Sequence, residues 1–184
     1  MRRPALKPGD IFLTSNPMAL QKAINRVQKF WSKDGKSKYG HAGIITSRHG
    51  NTYEARWMVG PSKLWENYGD QDLLIVRHHA MNPRTFRKGI MITYRAYHND
   101  FYPFYRLVFH MFPPLAKLNT GKAVCSELCC RMLYEVEMFP YYNGATPDNL
   151  HDHVCWGIKE GEWSIVFEQR RIQSGFTHKI ERIH

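Results

Sequence analysis

The period of the apolar positions changes several times along the chain, and each change predicts an element. After the turn-forming run Lys7-Pro8-Gly9-Asp10, the residues Ile11-Phe12-Leu13-Thr14 read as a short strand, and Ser15-Asn16-Pro17 supplies a cap and a first-turn proline for a helix. Leu20, Ile24, Val27 and Trp31 then recur at helical spacing, which predicts one buried helical face. A polar, glycine-containing loop over 32–38 leads into two strand-like runs, 41–47 and 51–56, joined by Arg48-His49-Gly50-Asn51; together they predict a β-hairpin.

A third strand is predicted at Leu73-Leu74-Ile75-Val76-Arg77, and Pro83 opens a helix whose apolar side carries Phe86, Ile90, Tyr94 and Tyr97. Pro103, Pro113 and Pro114 break up the aromatic stretch 101–119, where a short helix between loops is expected. A further helix should run from Cys125 to about Glu137 with Cys129, Met132, Leu133 and Val136 on its buried side. Thr146-Pro147-Asp148 then starts a short one, and Trp163–Phe167 returns to strand before a basic, polar tail. A hairpin, further short strands and several helices, without regular βαβ alternation and without internal repeats, argue for an α+β fold.

Composition narrows this picture. At 184 residues the chain suits one domain, 1–184, and an apolar share of 43% excludes general disorder. The basic N-terminus runs into Gly9-Asp10 instead of the apolar stretch of a signal peptide, and no segment approaches the ~20 apolar residues of a membrane span. Cys125, Cys129 and Cys130 crowd together, with Cys155 the fourth cysteine; this is a poor framework for stapling distant loops, so free thiols in a reducing, cytoplasmic setting are expected. The net charge of +10 predicts attraction to polyanions, but Lys and Arg are dispersed without a dense block, which also describes a solvated basic surface.

The candidate chemistry lies in His41-Ala42-Gly43-Ile44 and Val124-Cys125-Ser126-Glu127-Leu128. Cys125 falls where a loop containing Gly121 gives way to a helix, and the electropositive N-terminus of a helix favours thiolate. Cys129 and Cys130, one turn further in, read as buried apolar residues, and Glu127 as a structural partner of the helix dipole. Of the ten histidines, His41 opens an apolar strand between the small residues Gly40 and Ala42, which leave an imidazole room to approach another element. A hairpin turning near His49-Gly50 places Glu54 roughly opposite the start of that strand, where a carboxylate can orient the ring. Glu54 as an ordinary surface strand residue is the competing reading, because register is not determined by this pattern alone.

Five blocks carry a family resemblance: Lys7-Pro8-Gly9-Asp10-Ile11, His41-Ala42-Gly43-Ile44, Tyr53-Glu54-Ala55, Cys125-Ser126-Glu127-Leu128 and Thr146-Pro147-Asp148-Asn149-Leu150. In order and spacing they resemble the YiiX/YebB-like group of the NlpC/P60 superfamily of papain-like cysteine hydrolases, in circularly permuted form, over roughly residues 6 to 170. The resemblance implies a small antiparallel β-barrel or strongly curved sheet packed against the cysteine helix. It also implies Cys125 as nucleophile, His41 as base, Glu54 as orienting residue, and Asp10 in a structural role near the site. No cofactor is implied. The aromatic middle, 97–119, departs from the pattern; Tyr102 and Tyr105 read as core, and only the backbone N–H of Cys125 is assigned as an oxyanion donor.

The expected function is therefore a thiol hydrolase acting on a peptide, isopeptide or other amide, with cell-wall peptides in a bacterial or phage-borne setting as one substrate class. The same triad serves lipid acyltransferases and thioesterases, for which Phe101, Phe104, Leu107, Phe109 and Phe112 would line an acyl groove if they are not simply core. A non-catalytic, basic nucleic-acid-binding module is the reading from another class, although no specific nucleic-acid signature accompanies the charge. His151-Asp152-His153 with Cys155 raises a zinc site, for which no second ligand pair is evident.

Overall fold

The computed structural model describes residues 3–15, 38–101, 103 and 121–170. The expected helix over 17–31, the helix within 101–119 with the acyl-groove residues other than Phe101, the positions of Tyr102 and Tyr105, and the tail beyond 170 lie outside the described residues. Six strands, β1 (Ile11–Thr14), β2 (His41–Ile45), β3 (Asn51–Ala55), β4 (Val59–Lys63), β5 (Leu73–His78) and β6 (Trp163–Gln169), form one antiparallel sheet. Its order is β4-β3-β2-β1-β5-β6. Among the described residues four helices accompany it: α1 (Leu64–Tyr68), α2 (Pro83–Tyr97), α3 (Cys125–Tyr134) and α4 (Pro147–Lys159). The fold is α+β, and the sheet is open, with β4 and β6 at its two edges.

Alternation along the strands sorts side chains onto two faces, and both are covered. Ile11, Leu13, Ala42, Ile44, Leu74 and Val76 pack into the larger core with Leu128, Cys129 and Met132 of α3. Phe12, Ile45, Leu73 and Ile75 face the other way, where Leu64 and Tyr68 of α1 cover them together with Leu6. With both faces buried, the strands read as continuous apolar runs, which is why β1 and β5 were legible in sequence.

β4 and α1 were not expected. Val59-Gly60-Pro61-Ser62-Lys63 lacks apolar alternation and contains a proline, which a strand tolerates at a sheet edge, where β4 lies. α1, with five residues, is too short to display a period, although Leu64 and Tyr68, one turn apart, are both fully buried. α2 opens at Pro83 as predicted, with Asn82 capping the N–H groups of Arg84 and Thr85. Its innermost residues are Gly89, Thr93 and Tyr97, however, while Tyr94 is exposed. A Cβ at Gly89 would sit 2.8 Å from the Met132 carbonyl oxygen, so α2 meets α3 at a backbone-to-backbone approach where only a small residue fits.

α3 is regular only to Tyr134. The chain then closes with Glu137 N–H on the Tyr134 carbonyl and Met138 N–H on that of Leu133, around a left-handed Glu137 at φ 61°. α4 is longer than expected, thirteen residues, because its Thr146 cap and Pro147 start are followed by buried Leu150 and Val154 at helical spacing.

Candidate active site

β2 and β3 pair with Ile44 opposite Tyr53 and Ile45 opposite Thr52. One step further brings Gly43 level with Glu54, so His41, opening the strand, meets Glu54 as a same-face diagonal neighbour. His41 Nε2 lies 2.6 Å from Glu54 Oε2, and both side chains are buried. Gly43 makes the crossing possible: a Cβ there would run into the Phe12 ring and lie 3.1 Å from Glu54 Cβ. Gly43→Ala is expected to cost about 1–3 kcal/mol by overpacking, read as a lower denaturant midpoint at unchanged slope.

Glu54 is held on both oxygens. Tyr68 donates its hydroxyl to Oε2 at 2.5 Å, and Thr52 donates Oγ1–H to Oε1 at 3.0 Å. Burial alone would raise the carboxyl pKa, but hydrogen bonds from His41, Tyr68 and Ser62, with the His41 charge, hold it down at about 2. Tyr68 escaped the sequence reading because it belongs to α1; its ring packs 5.6 Å from His41 and 5.2 Å from Phe12. Tyr68→Phe keeps that packing and removes the donor. A loss of about 1–3 kcal/mol in stability is expected, with the pH profile of Cys125 alkylation moved to higher pH. An unchanged profile would reduce Tyr68 to a packing residue.

Cys125 is the first residue of α3, as predicted, and lies where the helix abuts the start of β2; the backbone N–H groups of Ala42 and Ser126 point at its sulfur. Burial pushes the thiol pKa up, but the charge and hydrogen bond of His41 and those two N–H groups outweigh it, so the net direction is down. Burial likewise opposes charge on the His41 ring, and interaction with Cys125, then Glu54, carries its pKa up to about 10. With Nε2 on Glu54, Nδ1 remains for the thiol. Cys129 and Cys130, fully buried, are both pushed well above the ordinary thiol value, first by burial. The structure thus brings Cys125, His41 and Glu54 together, with the thiol and the ring on terms that favour a thiolate and an imidazolium.

The other motif blocks fasten this arrangement. Ser126 donates to the Ala145 carbonyl at 2.7 Å, while Glu127 accepts from Val124 N–H at 3.0 Å and from Gly144 N–H at 2.8 Å, so the start of α3 is tied to the turn before α4. Thr146 and Asn149 cap α4 reciprocally. Asp10 is structural but not close to the site: it binds Arg77 at 2.7 and 2.8 Å next to Ile11, the opposite end of β1 from Thr14, which pairs with His41.

His151 Nε2 is 3.5 Å from Cys155 Sγ along α4, whereas His153 packs against Phe139. Among the described residues no three of His, Cys, Asp and Glu are grouped to hold a metal ion. Nor, among them, is any helix long and apolar enough to cross a membrane.

No protein-family model matches the sequence, and no curated protein does either. Among solved structures, the chain is similar to the crystal structure of metalloprotein YiiX from Escherichia coli O157:H7 (DUF1105), with a TM-score of 0.55 and 14% identity over 88% of this chain and 89% of that one. The likeness shows a YiiX-like fold. The metal in that protein's description finds no matching donor set among the described residues here.

Proposed function

We propose that the chain is a thiol hydrolase that cleaves an amide bond through an acyl-enzyme on Cys125. The supporting observation is the buried His41–Glu54 pair at 2.6 Å with the Cys125 thiol against the same ring. The Cys125 thiolate attacks the carbonyl carbon, and the C=O electron pair moves to oxygen. Collapse of the tetrahedral species breaks the C–N bond, and the imidazolium of His41 gives its Nδ1 proton to the departing amine. Neutral His41 then takes a proton from water as it attacks the thioester, and cleavage of the C–S bond releases the acid and restores the thiolate–imidazolium pair. Glu54 keeps the ring oriented and stabilises its charge. The N–H of Cys125, in the first turn of α3 and without an intrahelical acceptor, is placed to serve the oxyanion.

Peptides of cell-wall type are one substrate class for this chemistry. Lipid esters or amides are the second reading, favoured by exposed apolar residues at the sheet end that carries His41, described below. Intact-mass analysis of wild type and Cys125→Ala after incubation with peptidoglycan fragments, lysine amides and acyl lipids tests the proposal. An acyl adduct on wild type alone identifies nucleophile and substrate half together. Equal turnover by Cys125→Ala, or salt-sensitive nucleic-acid binding with no thiol-dependent product, would replace it with the non-catalytic reading.

A further inference from the structure

The tip of the β3–β4 hairpin exposes two consecutive large apolar residues, Trp57 at 64% and Met58 at 43%, and Phe101, bridged to Met58, is 73% exposed. The register from Glu54 opposite Gly60 and Ala55 opposite Val59 puts this tip at the sheet end where His41 begins β2. Phe101 is tied to the same end: the Asp100 carbonyl accepts from Val59 N–H at 2.8 Å, and its carboxylate accepts from Lys122 Nζ at 2.6 Å, three residues before Cys125.

α2 runs into this corner, with Asn99 N–H on the Val59 carbonyl. The helix contains Arg84, Arg87, Lys88 and Arg95, all exposed, and no acidic residue. Arg84, Lys88, Met91 and Arg95 recur at spacings that align them on one face, which is polar, cationic and interrupted only by an exposed methionine. Among the described residues none of the four cations enters an ion pair. A helix of exposed cations that ends at a corner exposing Trp, Phe and Met offers the combination that seats a protein in the headgroup layer of an anionic bilayer. Lys and Arg are drawn by the negative surface potential, and aromatic rings settle at the interface. A nucleic acid would use the charges but leaves the aliphatic Met58 and Met91 without a role.

We propose that the Trp57-Met58-Phe101 tip and the cationic face of α2 form one docking surface for an anionic lipid bilayer, which sets the Cys125 end of the sheet against the membrane. The surface stands independently of whether Cys125 is a nucleophile.

Flotation of the full chain with phosphatidylcholine vesicles, with and without phosphatidylglycerol, tests it, with a single-stranded oligonucleotide as the competing probe. The expected result is capture by the anionic vesicles only, weakened by salt. Trp57→Ala/Phe101→Ala and Lys88→Glu/Arg95→Glu should each reduce capture at least about tenfold. All four residues are exposed, so circular dichroism and Cys125 alkylation should match wild type, and Cys125→Ala should float as wild type does. Failure to float, equal capture by neutral vesicles, or undiminished capture of both double variants would each overturn the proposal. So would oligonucleotide binding that the same substitutions abolish, or self-association that they abolish in the absence of lipid.

Discussion

Iodoacetamide at pH 6 will label Cys125 before Cys129, Cys130 or Cys155, and His41→Ala will remove most of that lead. The reagent reacts with thiolate, so selectivity follows ionisation and access together. Cys129 and Cys130 have no exposed surface and thiols raised by burial; Cys125 keeps 5% exposure, and its thiol is lowered by His41 and two backbone N–H groups despite its own burial. Cys155 is half-buried, with its thiol raised by burial and by Asp152. Without the imidazolium, the Cys125 thiolate keeps only the N–H groups of Ala42 and Ser126, and each unit by which its pKa rises slows labelling about tenfold. Under the proposed mechanism turnover should fall further, by roughly 10²–10⁴-fold, since the same substitution would remove the proton donor to the leaving amine. Peptide mapping of the alkylated protein reads the order directly. Four thiols of equal reactivity, or a His41→Ala protein labelled as fast as wild type, would end the idea of an activated nucleophile.

Glu54→Gln is expected to destabilise the fold by about 3–5 kcal/mol at neutral pH, because it removes one charge of a buried, hydrogen-bonded pair and leaves His41 with Cys125 alone to oppose the cost of its burial. The pH dependence tests the cause. Glu54 has its pKa depressed from 4.5 to about 2, so its contribution is complete above 4.5 and is lost as the pH falls through 2. His41 has its pKa raised from 6.5 to about 10, so its contribution is complete below 6.5 and is lost as the pH rises through 10. Wild-type stability should therefore crest between these limits, about pH 4.5 to 6.5. In Glu54→Gln the acid limb attributable to residue 54 disappears, and the alkaline limb starts at lower pH because one source of the histidine shift is gone. Thermal melts across the pH range measure both limbs; an acid limb of unchanged size in the variant would place its origin in other carboxylates.

Legibility in the sequence followed physical rules. β1, β2, β3, β5 and β6 appeared because their apolar runs and turns are local signals, α2 and α4 because a cap and a proline open them, and α3 because its apolar positions recur at helical spacing. β4 was hidden by its edge position, which tolerates Gly60 and Pro61, and α1 by its length. With α1 went Tyr68, whose role depends on a hydroxyl reaching across to Glu54 and is encoded in no spacing. The three residues of the site were readable because each has a local signature: a cysteine at a helix start, a histidine opening a strand between small residues, a carboxylate across a hairpin. Their register was less readable. Glu54 meets His41 diagonally because Gly43, level with Glu54, has no side chain, which shows only once Phe12 is seen against it.

The division of the site between distant stretches has a consequence for the chain as it is made. His41, Thr52, Glu54 and Tyr68 lie close in sequence and depend on β2, β3, β4 and α1, whereas Cys125 joins them only when α3 docks, closing a loop of 84 positions. Closing so long a loop is entropically the later event. Cys125 is therefore expected to gain His41 as a partner only when α3 docks, which would make sulfur reactivity a reporter of the finished fold.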